Sequence, residues 1–184
     1  LAMGDLAGLD VGYKAREGRT DLPDDPKLYR IGTLLVEMGR HGQKTGSGFY
    51  KYDPETRRRM SDPEVESMIK DEAAKLNLEQ RDISDEEILQ RCLYPLINEG
   101  ALILEEGIAQ RPSDIDVVYV FGYAFPAAKG GPMHYADQVG LKHVYDKICE
   151  FRERDGEMYW KPAPLLEKLA KEGKTFAQWE PDNG

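Results

Sequence analysis

The chain lacks the features of several common protein classes. Its 184 residues contain no apolar run that approaches about 18 residues, the length that a membrane-spanning helix needs. It has two cysteines, Cys92 and Cys149, no CxxC pair and only scattered histidines, which argues against a disulfide framework and a metal site. Both cysteines lie within helical apolar patterns, so we expect small buried side chains. A net charge of -9 argues against binding to nucleic acids and anionic lipids.

Apolar residues recur at helical spacing through most of the chain, which predicts an all-α fold. In the first half, the pattern indicates a short helical segment in residues 1–16 and an amphipathic helix over 27–38, which Gly39 ends. Residues 49–52 show the only clear strand-like alternation. A capping box that begins at Ser61 predicts the start of a further helix.

The second half contains the longest predicted helix, which a capping box at Ser84 opens. Asn98 stands among the apolar residues of this helix, and we expect it to bond to the backbone of a neighbouring loop. Ser113 is expected to cap the next helix. The buried stripe of the long helix is predicted to comprise Leu89, Leu93, Leu96, Ile97, Ala101, Leu104 and Ile108. The corresponding residues of the next helix are Val117, Val118 and Phe121. Three further helices are predicted near 133–138, 141–152 and 165–169.

A weak internal repeat relates the two halves. Asp5-Leu-Ala-Gly-Leu9 matches Asp137-Gln-Val-Gly-Leu141 in spacing, and each segment follows a methionine and precedes a helical stretch. The repeat predicts three regions: the tail of a first helical unit in residues 1–60, a connecting helix in 61–83, and a second, fuller unit in 84–184.

The glycine-rich segment 39–48 is the strongest candidate for chemistry. It does not fit a phosphate-binding P-loop, because Gln43 precedes Lys44 and a predicted helix lies upstream in place of a strand. A tight turn is the favoured interpretation. Arg40, His41 and Lys44 nevertheless bring positive charge to backbone amides, a combination that suits an anionic group of a ligand.

The other polar candidates favour structural roles. No histidine has a partner at a catalytic spacing, so no catalytic residue is assigned. The acid pairs Glu105-Glu106 and Asp114-x-Asp116 are expected to face solvent near helix ends. The loop 122–132 has two interpretations, either the lining of an acyl groove or a segment that Tyr123 and Phe125 anchor to the core.

Several of these segments together resemble the C-terminal region of 3-hydroxyacyl-CoA dehydrogenases. Residues 40–52, Arg-His-Gly-Gln-Lys-Thr-Gly-Ser-Gly-Phe-Tyr-Lys-Tyr, resemble the family's GQKTGxGFYxY signature, and residues 5–10 resemble the stretch upstream of it. A second C-terminal repeat is typical of multifunctional β-oxidation enzymes. Four segments of this chain resemble that repeat: residues 91–101, 105–109, 114–118 and 129–133.

The resemblance implies a helical domain like the C-terminal domain of 6-phosphogluconate dehydrogenase. In the family, an upstream Rossmann domain binds NAD and carries the catalytic histidine and glutamate, while the helical region closes over the 3-hydroxyacyl-CoA substrate. This chain has no dinucleotide fingerprint, so no catalytic residue is carried over. Lys44 matches the signature lysine that approaches the nicotinamide cofactor, and it is the one cofactor-binding residue that the resemblance implies.

The predicted function is therefore the substrate-cover and assembly region of an NAD-dependent 3-hydroxyacyl-CoA dehydrogenase, inactive alone. The alternative is an independent helical assembly module or a module that binds CoA thioesters without redox activity. The predicted partners are the substrate, the upstream Rossmann domain and a possible second copy in a homo-oligomer. The bacterial cytoplasm is the predicted location, with the peroxisome as the alternative.

Overall fold

The structure, a computed structural model, describes residues 1–23 and 25–179. The last five positions of the predicted second repeat, 180–184, lie outside the described residues. The chain divides into two compact units, Leu1–Asp82 and Ile83–Gly184. Helices dominate both units, so the predicted all-α class is confirmed. Within the described residues, no helix is long and apolar enough to cross a membrane.

The first unit contains four helices and one very short hairpin among its described residues. The two strands run antiparallel, with Lys51 opposite Met60 and Tyr52 opposite Arg59. The elements in order are α1 (Ala2–Ala7), α2 (Leu9–Arg16), α3 (Arg30–Glu37), a 3₁₀ turn (Gln43–Thr45), β1 (Lys51–Tyr52), β2 (Arg59–Met60) and α4 (Pro63–Lys75). The buried apolar side chains of this unit include Leu35, Tyr52 and Val65.

Helix α3 ends as the sequence predicts but begins later. Gly39 takes a φ of 75°, and its N–H bonds to the Val36 carbonyl at 2.9 Å. The Arg40 N–H reaches the Leu35 carbonyl at 2.8 Å, which completes a Schellman motif. The predicted start at Lys27 is wrong, because Tyr29 has a left-handed φ of 65° that interrupts a helix there.

The cap of helix α4 is one residue later than predicted. Asp62, rather than Ser61, is the N-cap residue, and its Oδ1 accepts the Glu64 N–H at 3.1 Å. Pro63 takes the first helical position, where its missing N–H costs nothing. Asp62 is buried, whereas Ser61 is exposed.

The second unit packs its helices around one apolar core. The core includes Ile97, Met133, Val144, Phe151 and Leu166. The elements in order are α5 (Asp85–Glu105), α6 (Pro112–Gly122), a 3₁₀ turn (Ala127–Lys129), α7 (Pro132–Val139), α8 (Leu141–Asp155), α9 (Glu157–Trp160), α10 (Pro164–Glu172) and a second 3₁₀ turn (Phe176–Gln178).

Helix α5 begins as predicted, but in its N-terminal half the buried residues lie on a different face from the predicted one. The Ser84 hydroxyl accepts the Glu87 N–H at 3.2 Å, which confirms the cap. Leu89 is 57% exposed, and Gln90 and Tyr94 occupy the buried face instead. Cys92 lies outside this stripe and is exposed, so its expected burial is wrong, while Cys149 is half-buried. Ile108 lies beyond the end of the helix and is also exposed.

The observed buried positions of α5 follow helical spacing closely: Gln90, Tyr94, Ile97, Gly100, Ala101 and Leu104. The amide of Gln90 donates to Glu86 Oε1 at 3.1 Å, so this polar side chain keeps a partner on the buried face. A stripe predicted from aliphatic residues alone omits Gln90 and Tyr94, which explains the error in its register.

Helix α6 turns a different face inward from the one predicted. It begins with Pro112 at its first position and Arg111 as N-cap, so Ser113 is not the capping residue. Ile115 and Asp116 are its buried residues. Phe121 is 85% exposed. The other two residues of the predicted stripe are more than half exposed as well: Val117 and Val118.

Asn98 confirms its predicted role. Its Nδ2 donates to the Lys161 carbonyl at 2.9 Å, and its Oδ1 accepts the Ala163 N–H at 2.7 Å. Both ends of the amide are used, which connects α5 to the segment between α9 and α10. The anchoring of the loop 122–132 is different from the prediction, since Tyr123 is 73% exposed and only Phe125 is partly buried.

Candidate functional site

A buried carboxylate in α1 organises the glycine-rich segment of the first unit. Asp5 has no exposed surface, and its Oδ1 accepts the Phe49 N–H at 2.9 Å. Its Oδ2 accepts the Tyr50 N–H at 3.0 Å and the Tyr52 hydroxyl at 2.9 Å. Because two amides of the predicted strand 49–52 bond to Asp5, only Lys51–Tyr52 joins a strand ladder. Burial and the Asp5 hydrogen bond raise the pKa of Tyr52 to about 12.

Close approach to Asp5 explains two glycines of this segment. A Cβ at Gly42 would stand 2.2 Å from the Asp5 carbonyl oxygen, and one at Gly48 would stand 2.1 Å from Asp5 Oδ1. Neither distance is possible between non-bonded atoms. The glycines therefore let the chain fold onto α1, which supports the tight-turn interpretation.

Arg40 is occupied within the fold. Its Nη2 donates to the Gly48 carbonyl at 3.0 Å and to Asp62, whose side chain is fully buried. Lys51 Nζ lies 3.2 Å from the other oxygen of Asp62. Burial alone would raise the pKa of Asp62, but the hydrogen bonds from Arg40 and Lys51 outweigh it and hold that pKa below its ordinary value. The predicted availability of Arg40 to an anionic ligand is therefore wrong.

Lys44 lies on the 3₁₀ turn and pairs with the first turn of α2. Its Nζ is 2.5 Å from Asp10 Oδ1, and its side chain is 48% exposed. The Lys44 ammonium lowers the pKa of Asp10. The neighbouring His41 is tied through its backbone, with its N–H bonded to Thr45 Oγ1 at 2.9 Å and its carbonyl accepting the Leu9 N–H at 3.0 Å. Lys44 thus has a half-exposed side chain on a turn whose neighbouring residue His41 is held by backbone hydrogen bonds.

The second unit contains a matching carboxylate. Asp137 Oδ1 accepts the Phe176 N–H at 2.7 Å, and its Oδ2 accepts the Ala177 N–H at 3.0 Å. Asp5 makes the same pair of bonds to consecutive amides, beginning in both units at a phenylalanine. The sequence match around these two aspartates therefore corresponds to the same local construction.

Two pairs of glycines repeat the backbone as well. Gly8 has φ 99° and ψ 117°, and Gly140 has φ 97° and ψ 122°. Each ends one helix and begins the next within three residues of the aspartate. Gly46 and Gly173 both take left-handed conformations, three residues before Phe49 and Phe176.

Comparison with known proteins agrees with this arrangement. The family model described as the C-terminal domain of 3-hydroxyacyl-CoA dehydrogenase matches residues 1–52 and 88–178. The chain belongs to this family. The two matched ranges contain the carboxylates Asp5 and Asp137 and the segments that they hold.

The relatives are longer proteins. The peroxisomal bifunctional enzyme of Homo sapiens is 44% identical over 191 residues, an alignment that covers 96% of this chain and 26% of the relative. The fatty acid oxidation complex subunit alpha of Vibrio parahaemolyticus is 35% identical, with 94% of this chain and 23% of the relative covered. The chain spans about a quarter of the length of these curated relatives.

A solved structure is similar as well. The dehydrogenase part of multifunctional enzyme 1 from C. elegans matches with a TM-score of 0.68 and 30% sequence identity. The match covers 91% of this chain and 37% of that one. The resemblance to 3-hydroxyacyl-CoA dehydrogenases in the sequence is therefore confirmed.

Asp116 has a role in this domain that its sequence pattern conceals. It is buried, and its Oδ1 and Oδ2 accept the backbone N–H groups of Met133 and His134 at 2.7 and 3.1 Å. A Cβ at Gly131 would stand 2.3 Å from Asp116 Oδ1. Burial raises the pKa of Asp116, although the two amides oppose the rise. The expectation that this acid faces solvent is wrong, because it fastens α6 to the first turn of α7.

The loop 122–132 contributes to a surface groove of about 500 Å³. Ala127 and Gly130 of the loop line the groove together with apolar side chains of α6. Phe121, the most exposed of those side chains, stands at this groove. The acyl-groove interpretation of the loop stays a prediction. No cluster of three metal-ligating side chains occurs among residues 1–23 and 25–179.

Proposed function

We propose that this chain is the substrate-cover and assembly region of an NAD-dependent 3-hydroxyacyl-CoA dehydrogenase of fatty-acid β-oxidation, inactive by itself. The observation that carries the proposal is the family match over residues 1–52 and 88–178. The reaction of the parent protein transfers a hydride from the C3 carbinol of a 3-hydroxyacyl-CoA to NAD and yields the 3-ketoacyl-CoA. The catalytic histidine and glutamate belong to an upstream Rossmann domain in this proposal.

The proposed domain organisation follows the repeat. Residues 1–60 form the tail of a first helical unit, 61–83 contain the connecting helix, and 84–184 form the second unit. The equivalent hydrogen bonds of Asp5 and Asp137 support this division.

Lys44 is the proposed contact to the nicotinamide cofactor in the first unit. Its geometry fits such a group, because the ammonium has three donors and the structure gives it one carboxylate partner and a half-exposed surface. NAD bound in the parent protein would supply the hydride acceptor. Lys44 supplies a hydrogen-bond donor that orients it, and this chain holds no other proposed cofactor residue.

Complementation tests the proposal. NADH consumption with acetoacetyl-CoA is measured with this chain alone, with the upstream portion of its parent alone, and with both mixed. We expect no turnover by either part and turnover by the mixture. Turnover by this chain alone would place catalytic residues within it and overturn the proposal, as would an upstream portion that is fully active without it.

The exposed face of α6 favours a second candidate, an assembly module without redox activity. Val117, Val118 and Phe121 present apolar surface that a monomer in water exposes at a cost. Sedimentation velocity of the chain and of its Phe121→Ser variant tests this candidate. Self-association that the variant abolishes supports assembly, whereas binding of CoA to the isolated chain in calorimetry supports the related CoA-thioester-binding function.

The cellular compartment follows from the parent protein. The similar proteins include peroxisomal enzymes and bacterial fatty acid oxidation subunits. The bacterial cytoplasm remains the location that the sequence predicts, with the peroxisome as its alternative. Fractionation of cells that express the parent protein decides between them.

A further inference from the structure

The contact between Lys44 and Asp10 is built into the backbone around it. The lysine side chain crosses Gly8, where an added Cβ would stand 3.0 Å from Lys44 Nζ and 3.2 Å from its Cε. The same Cβ would stand 3.0 Å from Asp10 Oδ1. Any side chain at Gly8 would therefore clash with both members of the pair. Because Gly8 has no side chain, the Lys44 ammonium can lie beside the start of α2.

Asp10 contributes an oxygen that depends on the lysine. Its Oδ1 is buried, and among the described residues no hydrogen bond of standard geometry reaches it. The Lys44 ammonium at 2.5 Å is what compensates for that burial. The lysine is the more exposed partner, with 48% of its side chain accessible against 18% for Asp10. The carboxylate is thus the inner member of the pair and the ammonium the outer one.

The internal repeat separates this pair from the contacts that the fold requires. Counted from Asp5 and Asp137, the position of Asp10 corresponds to Lys142 in the second unit, and counted back from the two phenylalanines, Lys44 corresponds to Lys171. Lys142 pairs with Asp146 at 2.6 Å and Lys171 with Glu167 at 2.5 Å, each four residues away on its own helix. Among residues 1–23 and 25–179, only the first unit has the long-range pair at these positions.

Because the Lys44 side chain is 48% exposed, the pair contributes less to the free energy of folding than a fully buried ion pair would. The second unit keeps its aspartate clamp and its glycine conformations without an equivalent of the pair. The pair therefore calls for a use other than holding the repeat together.

We propose that Asp10 is a positioning residue for Lys44: its carboxylate fixes the ammonium over Gly8 so that the remaining N–H donors point in a set direction toward the cofactor. This inference rests on the proposed function of Lys44. The carboxylate also balances the lysine charge, so the lysine acts as a directed donor and adds little net attraction for anions. Without Asp10, the Lys44 side chain is no longer held in one place. Cofactor binding must then order that side chain, and the lost conformational entropy weakens binding.

The first experiment measures the dissociation constant of NADH by fluorescence in the full-length parent protein. The variants are Asp10→Asn, Lys44→Met and the double variant. We expect Lys44→Met to weaken binding roughly tenfold or more and Asp10→Asn to weaken it roughly threefold to tenfold. In the double variant, Asp10→Asn should add nothing to the effect of Lys44→Met.

The matched control is Glu167→Gln, which breaks the lysine–carboxylate pair of the second unit at the same distance of 2.5 Å. We expect this variant to bind NADH like the unmodified parent. If Glu167→Gln weakens NADH binding as much as Asp10→Asn does, loss of any such pair has the same effect and the inference is overturned.

A second readout requires no cofactor. Carbon-13 NMR of the aspartate carboxyls in the 184-residue chain follows the ionisation of Asp10. Because Lys44 lowers the pKa of Asp10, we expect Lys44→Met to raise that pKa toward its ordinary value. An unchanged Asp10 pKa would show that the pair does not form in solution and would overturn the inference.

The outcomes of the binding experiment separate the two proposals. If Lys44→Met leaves the NADH dissociation constant unchanged, the proposed role of Lys44 is wrong and Asp10 has nothing to position. If Lys44→Met weakens binding but Asp10→Asn does not, the role of Lys44 stands and the inference about Asp10 is wrong. Equal weakening by Asp10→Asn with and without Lys44 would indicate a general structural effect and would also overturn it.

Discussion

Asp5 and Asp137 accept equivalent pairs of backbone hydrogen bonds in the two units, from Phe49 and Tyr50 in the first and from Phe176 and Ala177 in the second. Phe49 lies 44 residues after Asp5 in the sequence, and Phe176 lies 39 residues after Asp137. A single carboxylate thus ties a distant segment of chain to a short helix in each unit. Charged acceptors make the stronger class of hydrogen bond, which suits a contact that closes so long a loop.

Replacement of Asp137 by alanine should destabilise the second unit. The Phe176 and Ala177 amides lose a charged acceptor, and we expect the free energy of unfolding to fall by roughly 2–4 kcal/mol. Both tryptophans of the chain, Trp160 and Trp179, lie in this unit, so their fluorescence in a urea titration reports its unfolding. The control Asp146→Ala removes an exposed acid whose pair with Lys142 should contribute less than about 1 kcal/mol. Equal losses in the two variants would contradict the assigned role of Asp137.

Replacement of Asp5 by alanine should expose particular amides of the first unit. The Phe49 and Tyr50 N–H groups lose their acceptor, so their hydrogen exchange, followed by NMR, should accelerate by at least tenfold. Asp53→Ala is the matched control, because that carboxylate accepts the Glu55 and Thr56 N–H groups. It should accelerate exchange there and leave Phe49 and Tyr50 protected.

Replacement of Gly48 by alanine should disrupt the same clamp by steric conflict. The new Cβ would stand 2.1 Å from Asp5 Oδ1, and three hydrogen bonds restrain that carboxylate. We expect the first unit to lose roughly 2–4 kcal/mol, in the range of severe packing and hydrogen-bond defects. Gly32→Ala is the opposite case, since its Cβ meets nothing within 4 Å and it lies inside α3. That variant should gain about 0.5–1 kcal/mol, and thermal unfolding followed by circular dichroism compares the two.

Helix positions were predictable because their signals are local. The glycine that ends α3, the serine that caps α5 and the 3.6-residue periodicity all act within a few residues. Asn98 was also predictable, because a polar amide among apolar helix residues needs a backbone partner. The family signature at residues 40–52 supplied the functional assignment, which periodicity alone does not provide.

The hydrogen bonds that aspartate carboxylates accept from distant backbone amides, and the orientations of several side chains, were harder to predict from the sequence. Asp5 and Asp116 look like ordinary acids near helix ends, and only the fold brings amides from distant segments to them. The buried face of α5 includes Gln90 because Glu86 supplies a partner, a pairing that an aliphatic pattern ignores. Arg40 appeared available to a ligand because its partner Asp62 lies 22 residues further along the chain. The errors on Asp116 and Arg40 concern contacts between residues far apart in sequence, whereas the error on Gln90 concerns a partner four residues away.

Replacement of Asn98 by leucine should weaken the link between α5 and the segment before α10. The variant leaves the Lys161 carbonyl and the Ala163 N–H without their partner, and the latter is partly buried. We expect a loss of about 1–3 kcal/mol, measured by urea titration with Trp160 fluorescence. The control Glu99→Gln changes the adjacent exposed residue and should be nearly neutral. A neutral Asn98→Leu would show that water satisfies both backbone groups.

The ionisation of Asp116 should make the second unit less stable as pH rises. Burial raises the pKa of this group in the folded state, so the neutral acid is favoured there relative to the unfolded chain. The raised pKa of Asp116 contributes its full stabilisation at pH values below the pKa of the unfolded state, about 3.9. That contribution is lost as pH rises through the pKa of the folded state. Asp116→Asn has no such ionisation.

The difference in free energy of unfolding, unmodified chain minus Asp116→Asn, should therefore decrease as pH rises above the unfolded pKa of about 3.9. Tryptophan fluorescence in urea measures it at each pH. His134 and Asp137 act on Asp116 in opposite directions, the first lowering and the second raising its pKa, and both residues are present in both proteins. Asp146→Asn, at an exposed site, is the control variant. A difference that increases with pH would mean that the amides of Met133 and His134 stabilise the carboxylate by more than burial costs it.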